Sequence, residues 1–171
     1  MKWNVFLKGA LVASLVIAAA GCDNASKQSK GAAWVDVSQA ISDSPLAEQE
    51  KTRLETVKNL LLKAEQEANK SYEGMDKAKA DQARSSDAVT INRQWNLEQR
   101  AARVALLKEV RTAVEEVRKK NNYTVIVDGG AVLAADPASD VTKQVVESLK
   151  TAKVDFGELP AVTIKNEPDS K

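Results

Sequence analysis

The chain of 171 residues has no histidine, one cysteine, four prolines and seven glycines. Without histidine it lacks the commonest metal ligand and the side chain that titrates nearest neutrality, which weighs against most enzymes and metal centres. A lone cysteine cannot brace the fold through an intrachain disulfide. An excess of charge is also missing. The 25 basic residues meet 24 acidic ones, and removing a leader that holds Lys2 and Lys8 leaves 23 against 24, a net charge of −1. This weighs against a broad surface for nucleic acid or anionic lipid. No apolar run reaches the roughly 20 residues a membrane-spanning helix needs. Serine, lysine and carboxylates are present but in no convergent acid–base set, and Asp128-Gly129-Gly130 has neither the lysine of a phosphate loop nor the further acids of a calcium loop. The expectation is a binding protein with no catalytic residues, cofactor or metal.

The N-terminus reads as an export signal. Lys2 and Lys8 precede an apolar stretch from Gly9 to Gly21 that ends in small residues. Ala19-Ala20-Gly21-Cys22 resembles the bacterial lipobox, with Ala19 where leucine is usual. The resemblance implies a signal peptide over 1–21 and a lipidated Cys22 as first mature residue. The alternative is ordinary cleavage after Ala20, leaving a free thiol. Two or more acyl chains give a stable attachment where one is marginal, so the mature protein is expected to be tethered through its lipid. Asp23 after the cysteine resembles the enterobacterial signal for inner-membrane retention, with the outer membrane as the other possibility. Residues 22–31, small and polar, read as a flexible spacer.

From Pro45 to Lys120 there is one glycine and no further proline, among many Ala, Glu, Lys, Leu, Gln and Arg. These are strong helix formers. Ala47, Leu54, Val57, Leu61, Ala64, Ala68, Met75 and Ala78 fall on a three-four spacing, with Glu50 and Ser71 in the remaining places; Val104, Leu107, Val110, Val114 and Val117 repeat it. Each seam needs a partner helix. The spacing predicts an antiparallel hairpin over about 45–121. Its break is placed at Ser85 to Asp87, where Ser86 or Asp87 could open a helix; Gly74 is the rival. The chosen break gives arms of nearly equal length, about 40 and 33 residues, spanning roughly 50 to 60 Å.

Ala32 to Ile41, with Val35 and Val37 in alternation, reads as a strand, and Tyr123 to Ala135 as two strands about a turn at Asp128-Gly129-Gly130. A short helix is capped by Asp140 and turns Val141, Val145, Val146 and Leu149 inward. The tail from Val154, with Pro160 and Pro168, is expected to be poorly ordered beyond one short strand.

Strand, long helical arm and then "TVIVDGGAVLAADPASDVTKQVVESLK" together resemble the Skp or OmpH-like periplasmic chaperones. The strand ending at Asp128, Ala131-Val132, the Ser139-Asp140 cap and Thr142 carry the likeness, which covers about 32–153. It implies an α+β fold in which a small β body, completed by three subunits, carries a long coiled-coil hairpin, and a homotrimer that holds unfolded outer-membrane proteins in the periplasm without ATP. Residues expected in the oligomer body are Val35, Val37, Val125, Ile126, Val127 and Val132. A small monomeric cap that closes its own core is the alternative. Tyr72, Met75 and Trp95 are candidate client contacts in the outer half of the arm, Trp95 the better of them, because methionine and aromatics make adaptable contacts; ordinary packing between the arm helices is the alternative. The mixed charges near the tip need be no more than a solvated face. An adaptor that docks its arm on a folded envelope partner is the second function considered.

Overall fold

In the computed structural model, residues 29–162 are described. The signal segment, Cys22 and the spacer as far as residue 28 lie outside them, as do residues 163–171. The order of elements is β1 (Ala32–Val35), α1 (Val37–Ser42), α2 (Leu46–Ser71), α3 (Lys77–Asn121), β2 (Val125–Asp128) and α4 (Thr142–Leu149), with single 3-10 turns at Gly129–Ala131 and Pro137–Ser139. This is the α+β body with a helical hairpin arm.

The hairpin turns at Tyr72 to Asp76, not at Ser85 to Asp87. Gly74 takes φ +89°, which a side chain would resist. Asp76 then caps α3 by accepting from the Ala78 and Lys79 N–H groups at 3.0 and 3.4 Å. Ser85, Ser86 and Asp87 lie inside α3. The expected equality of the two arms fails because α3, at 45 residues, also forms a wall of the body, while α2 has 26. The antiparallel stretch is therefore set by α2 and is about 39 Å long at 1.5 Å per residue. Arg53 to Glu98 (3.3 Å), Arg103 to Glu50 (3.2 Å) and Arg84 to Asn69 (3.2 Å) mark its register.

The first seam holds along α2, where Val57, Leu61, Ala64 and Ala68 are buried, but not past the turn, where Ala80 is buried and Ala78 exposed. The second is rotated. Ala102, Leu106, Val110, Ala113 and Val117 are inside, while Val104 is 68% exposed. Val110 and Val117 are shared by both stripes, but Ala102 and Ala113, which let the helices approach closely, stand on the buried side in place of Val104 and Val114. Met75, expected in the seam, is exposed in the turn.

Among the described residues the β body has two strands. β1 and β2 pair in parallel, Ala32 opposite Val125 through Val35 opposite Asp128, and the arm is the crossover between them. The first predicted strand stops at Asp36, whose carboxylate accepts from the Gln39 N–H at 2.8 Å and opens α1; Val37 is therefore helical. Among the described residues no strand follows Gly130: the chain makes a 3-10 turn and an irregular segment, so the expected hairpin and Val132 as a strand residue are both corrected. Gly129 is needed for space, not for a positive φ. A Cβ there would lie 2.9 Å from Cε3 of the Trp34 ring.

The core joins body to arm root: Ala33, Val35, Ala40, Ile41, Leu46, Leu106, Val110, Ala113, Val117, Val141, Val145 and Leu149 form one buried cluster. Thr142, 2% exposed, ties the two ends of the body. Its hydroxyl donates to Asp140 at 2.6 Å and accepts from the Asp36 N–H at 2.9 Å, and Asp140 also receives the Thr142 N–H at 2.8 Å. The N-cap of α4 is Val141 and not Asp140 as expected; Asp140, one residue earlier, meets the first turn only through Thr142.

Both flanks are more tied down than their composition suggests. Residues 29–31, assigned to the spacer, run beside α3's end: the Lys30 N–H donates to the Asn122 carbonyl (3.0 Å) and the Thr124 N–H to the Gly31 carbonyl (2.8 Å). The tail as far as Leu159 is held on α2 by Gln49 and Arg53.

Candidate functional site

Two exposed apolar regions stand out, one on the body and one along the arm. On the body, β2 has β1 on one edge and no strand on the other among the described residues. A two-stranded sheet is marginal alone, and an unpaired edge offers its N–H and C=O groups to a further chain. Val125 and Val127 are 42% and 39% exposed, while Ile126 between them packs on the core. Together with Val37, Leu107 and Val114 the two valines line a groove of about 460 Å³. Its rim carries Glu115, held well below the usual carboxylate range at about 2, chiefly by hydrogen bonding from Arg118 and then from Lys119. Val35 is used otherwise than its neighbours: at 2% exposure it is spent in the chain's own core. Val132 is half-buried after the 3-10 turn. The Trp34 indole N–H is buried with no acceptor among the described residues.

Along the arm, α3 presents a second face. Val89, Leu97, Val104, Leu107 and Val114 fall within about 100° of one another at 100° per residue. The first three are 66%, 53% and 68% exposed. The stripe starts at a shallow groove of about 440 Å³ around Val89 and Leu97, with Arg93 and Arg100 on its sides, and runs into the body groove at Leu107. Sequence periodicity found Val104, Leu107 and Val114 but assigned them to the hairpin seam; the signal it lacked was which of two apolar stripes the alanines occupy.

The three candidate client residues are not brought together. Met75 is half-exposed at the tip. Trp95 is in the inner half of the arm, 21 residues or about 31 Å of helix from Gly74, against Leu54 and Lys58 of α2. Its expected place in the outer half is thus corrected. Tyr72 staples the tip: its hydroxyl donates to Asp87 and its ring lies under Arg84, 5.8 Å from the guanidinium carbon. The hydrogen bond to Asp87, then burial and the carboxylate's charge, push the phenol up to about 12 against a weaker opposing pull from Arg84. A folded value raised above the ordinary 10 means that this contact stabilises the tip fully below pH 10 and is lost as pH rises from 10 to 12. An ultraviolet titration of tyrosinate should show Tyr72 ionising late, and Asp87→Asn should bring it down by about one unit or more.

No group of three His, Cys, Asp or Glu side chains able to hold a metal occurs among the described residues, and no helix there is long and apolar enough to cross a membrane. What fold and surface define is a binding protein: a small body with an unfinished sheet, and an arm whose longer helix carries an uncovered apolar stripe.

The chain belongs to the OmpH-like family, described as "Outer membrane protein (OmpH-like)", whose model matches residues 31–149. It is similar to the chaperone protein Skp of Yersinia enterocolitica, with 36% identity over 59 residues; the match spans 34% of this chain and 34% of that relative. Among solved structures it is similar to an OmpH-like outer membrane chaperone from Caulobacter crescentus, at 22% identity and a TM-score of 0.40 over 75% of this chain and 91% of the other.

Proposed function

We propose that this protein is an ATP-independent periplasmic holdase that assembles as a homotrimer through its body and keeps unfolded outer-membrane proteins from aggregating between its arms. The observation that carries the reading is the continuous uncovered face on α3 and β2. Its body end, with a free strand edge and Val125, Val127, Val37 and Val114 around one groove, suits sister copies. Its arm end, with Val89, Leu97 and Val104 spaced among arginines and asparagines, suits weak contacts with many segments. Membership of the OmpH-like family and the likeness to a chaperone support the same assignment. A lipid on Cys22 would hold the trimer at the periplasmic face of a membrane, the inner one if Asp23 acts as a retention signal. Client transfer would then be local.

The test is whether the chain beginning at Asp23 keeps a urea-diluted outer-membrane β-barrel in solution at stoichiometric amounts, read by light scattering. Suppression of aggregation is expected. Failure across several unrelated barrels would remove the holdase reading and leave the adaptor, for which one folded envelope partner bound at nanomolar affinity is the corresponding evidence.

A further inference from the structure

The tail that composition marks as disordered is instead seated on the root of the arm, and the manner of its seating is unusual. The Gln49 carboxamide donates through Nε2 to the Ala152 carbonyl and accepts through Oε1 from the Val154 N–H, each at 2.9 Å. That is the pair of bonds a neighbouring residue makes in a parallel ladder, reaching one residue either side of its opposite number, here Lys153. Four residues on along α2, Arg53 donates to the Gly157 and Glu158 carbonyls at 3.1 and 2.6 Å. Every one of these bonds goes to main chain. Arg53 is itself fixed: its side chain is 11% exposed and pairs with Glu98 (14% exposed) at 3.3 Å, whose other oxygen receives Gln94 at 2.9 Å.

Side chains of the tail contribute in alternation. Ala152, Val154 and Phe156 turn inward while Thr151, Lys153 and Asp155 face solvent. Gly157, at φ +69°, then turns the chain so that Leu159 returns beside Phe156 to a groove bounded by Pro45, Thr52 and Thr56. The groove is about 590 Å³ and is not filled, since Leu159 stays 45% exposed. The family match ends at Leu149, so this strap lies outside the shared region.

We propose that the face of α2 from Pro45 to Thr56 is a peptide-binding site, which reads an extended main chain through Gln49 and Arg53, takes an aromatic residue with an aliphatic one three positions on, and is occupied in cis by the chain's own tail until an unfolded segment displaces it. The choice of ligand follows from the contacts: main-chain bonds do not discriminate sequence, and the two anchors ask only for bulk. Such a ligand is an unfolded polypeptide, and that part of the argument rests on the chaperone reading above. A tethered tail acts at an effective concentration in the millimolar range, so it lowers the apparent affinity of any competitor by the fraction of groove left open.

The experiment uses the full chain and, as probe, a fluorescent peptide with the sequence of residues 150–160, followed by anisotropy and by amide exchange at Val154. Phe156→Ser in the protein is expected to tighten the added peptide at least threefold by vacating the groove, and Gln49→Leu added to that variant, where the tail no longer competes, to weaken it at least threefold. Within the probe, serine at the positions of Lys153, Asp155 and Glu158 should change affinity less than threefold, and serine for its phenylalanine should weaken it at least tenfold. In the unaltered protein, saturating probe should speed exchange of the Val154 N–H, a readout that does not depend on any variant folding. A Val154 amide that stays protected at saturation, or binding to the Phe156→Ser protein that is indifferent to Gln49→Leu, overturns the proposal. If barrels are held in solution and the peptide does not exchange, only the groove falls; if the peptide exchanges and no barrel is held, the groove stands and the holdase reading falls.

Discussion

Leu106→Ala is expected to lower the free energy of unfolding by about 3 kcal/mol, within the 2 to 5 found for emptying a buried leucine site. Leu106 is fully buried and belongs to the cluster in which β1, α1, α2, α3 and α4 all take part. The loss combines the transfer of the missing carbons to water with the cavity they leave, and rigid helices on several sides limit how far that cavity can close. For a chain of this size the melting temperature should fall by roughly 6 to 12 °C. Val89→Ala, on the same helix at 66% exposure, is the control and should stay within about 0.5 kcal/mol of the parent. Calorimetry or thermal circular dichroism reads both. Equal effects at the two positions would mean that the arm root is not where body and arm are joined.

The contrast between these two residues also marks how far the sequence could be read. Along α2 the buried positions Val57, Leu61, Ala64 and Ala68 are the apolar ones at helical spacing, so periodicity alone finds them. The inward face of the final helix is equally plain, with Val141, Val145 and Leu149 buried, although the helix begins one residue later than an Asp140 cap would set it. On α3 two apolar stripes compete: periodicity finds Val110 and Val117, which are buried, but joins them to Val104, Leu107 and Val114 where packing joins them to Ala102, Leu106 and Ala113. The tip was ambiguous for a related reason. Asp76 and Asp87 are both able to cap a helix, and symmetry of the arms favoured Asp87 only because nothing in the sequence says that α3 continues into the body. Asp87 has its own task in receiving the Tyr72 hydroxyl. Asp128-Gly129-Gly130 misled because glycine marks both a positive φ and a close approach; here it is the Trp34 ring that requires the missing Cβ. Of the candidate site, the residue types were visible but the pairings were not. Gln49 and Arg53 look like any polar residues on an exposed helix face until the tail lies across them.

Val127→Asp is expected to dissolve the assembly while sparing the chain. In a single subunit Val127 is 39% exposed on β2, the strand with the free edge, so a carboxylate there can remain hydrated at little cost to folding. Against a sister copy the same group would lose its water without gaining a partner, a penalty of several kcal/mol for an unpaired charge. In a trimer that penalty enters once per subunit, enough to shift association by orders of magnitude in concentration, since each 1.4 kcal/mol is tenfold. Light scattering should therefore report a trimeric mass for the parent and a single-chain mass for the variant, with unchanged far-ultraviolet dichroism. Val35→Asp makes the opposite prediction: that side chain is 2% exposed in the chain's own core, so the variant should lose its fold and not only its partners. A monomeric parent would remove the trimer, and a Val127→Asp variant that keeps the parent's mass would place its contact elsewhere than on β2; either result removes the reason those valines stand uncovered.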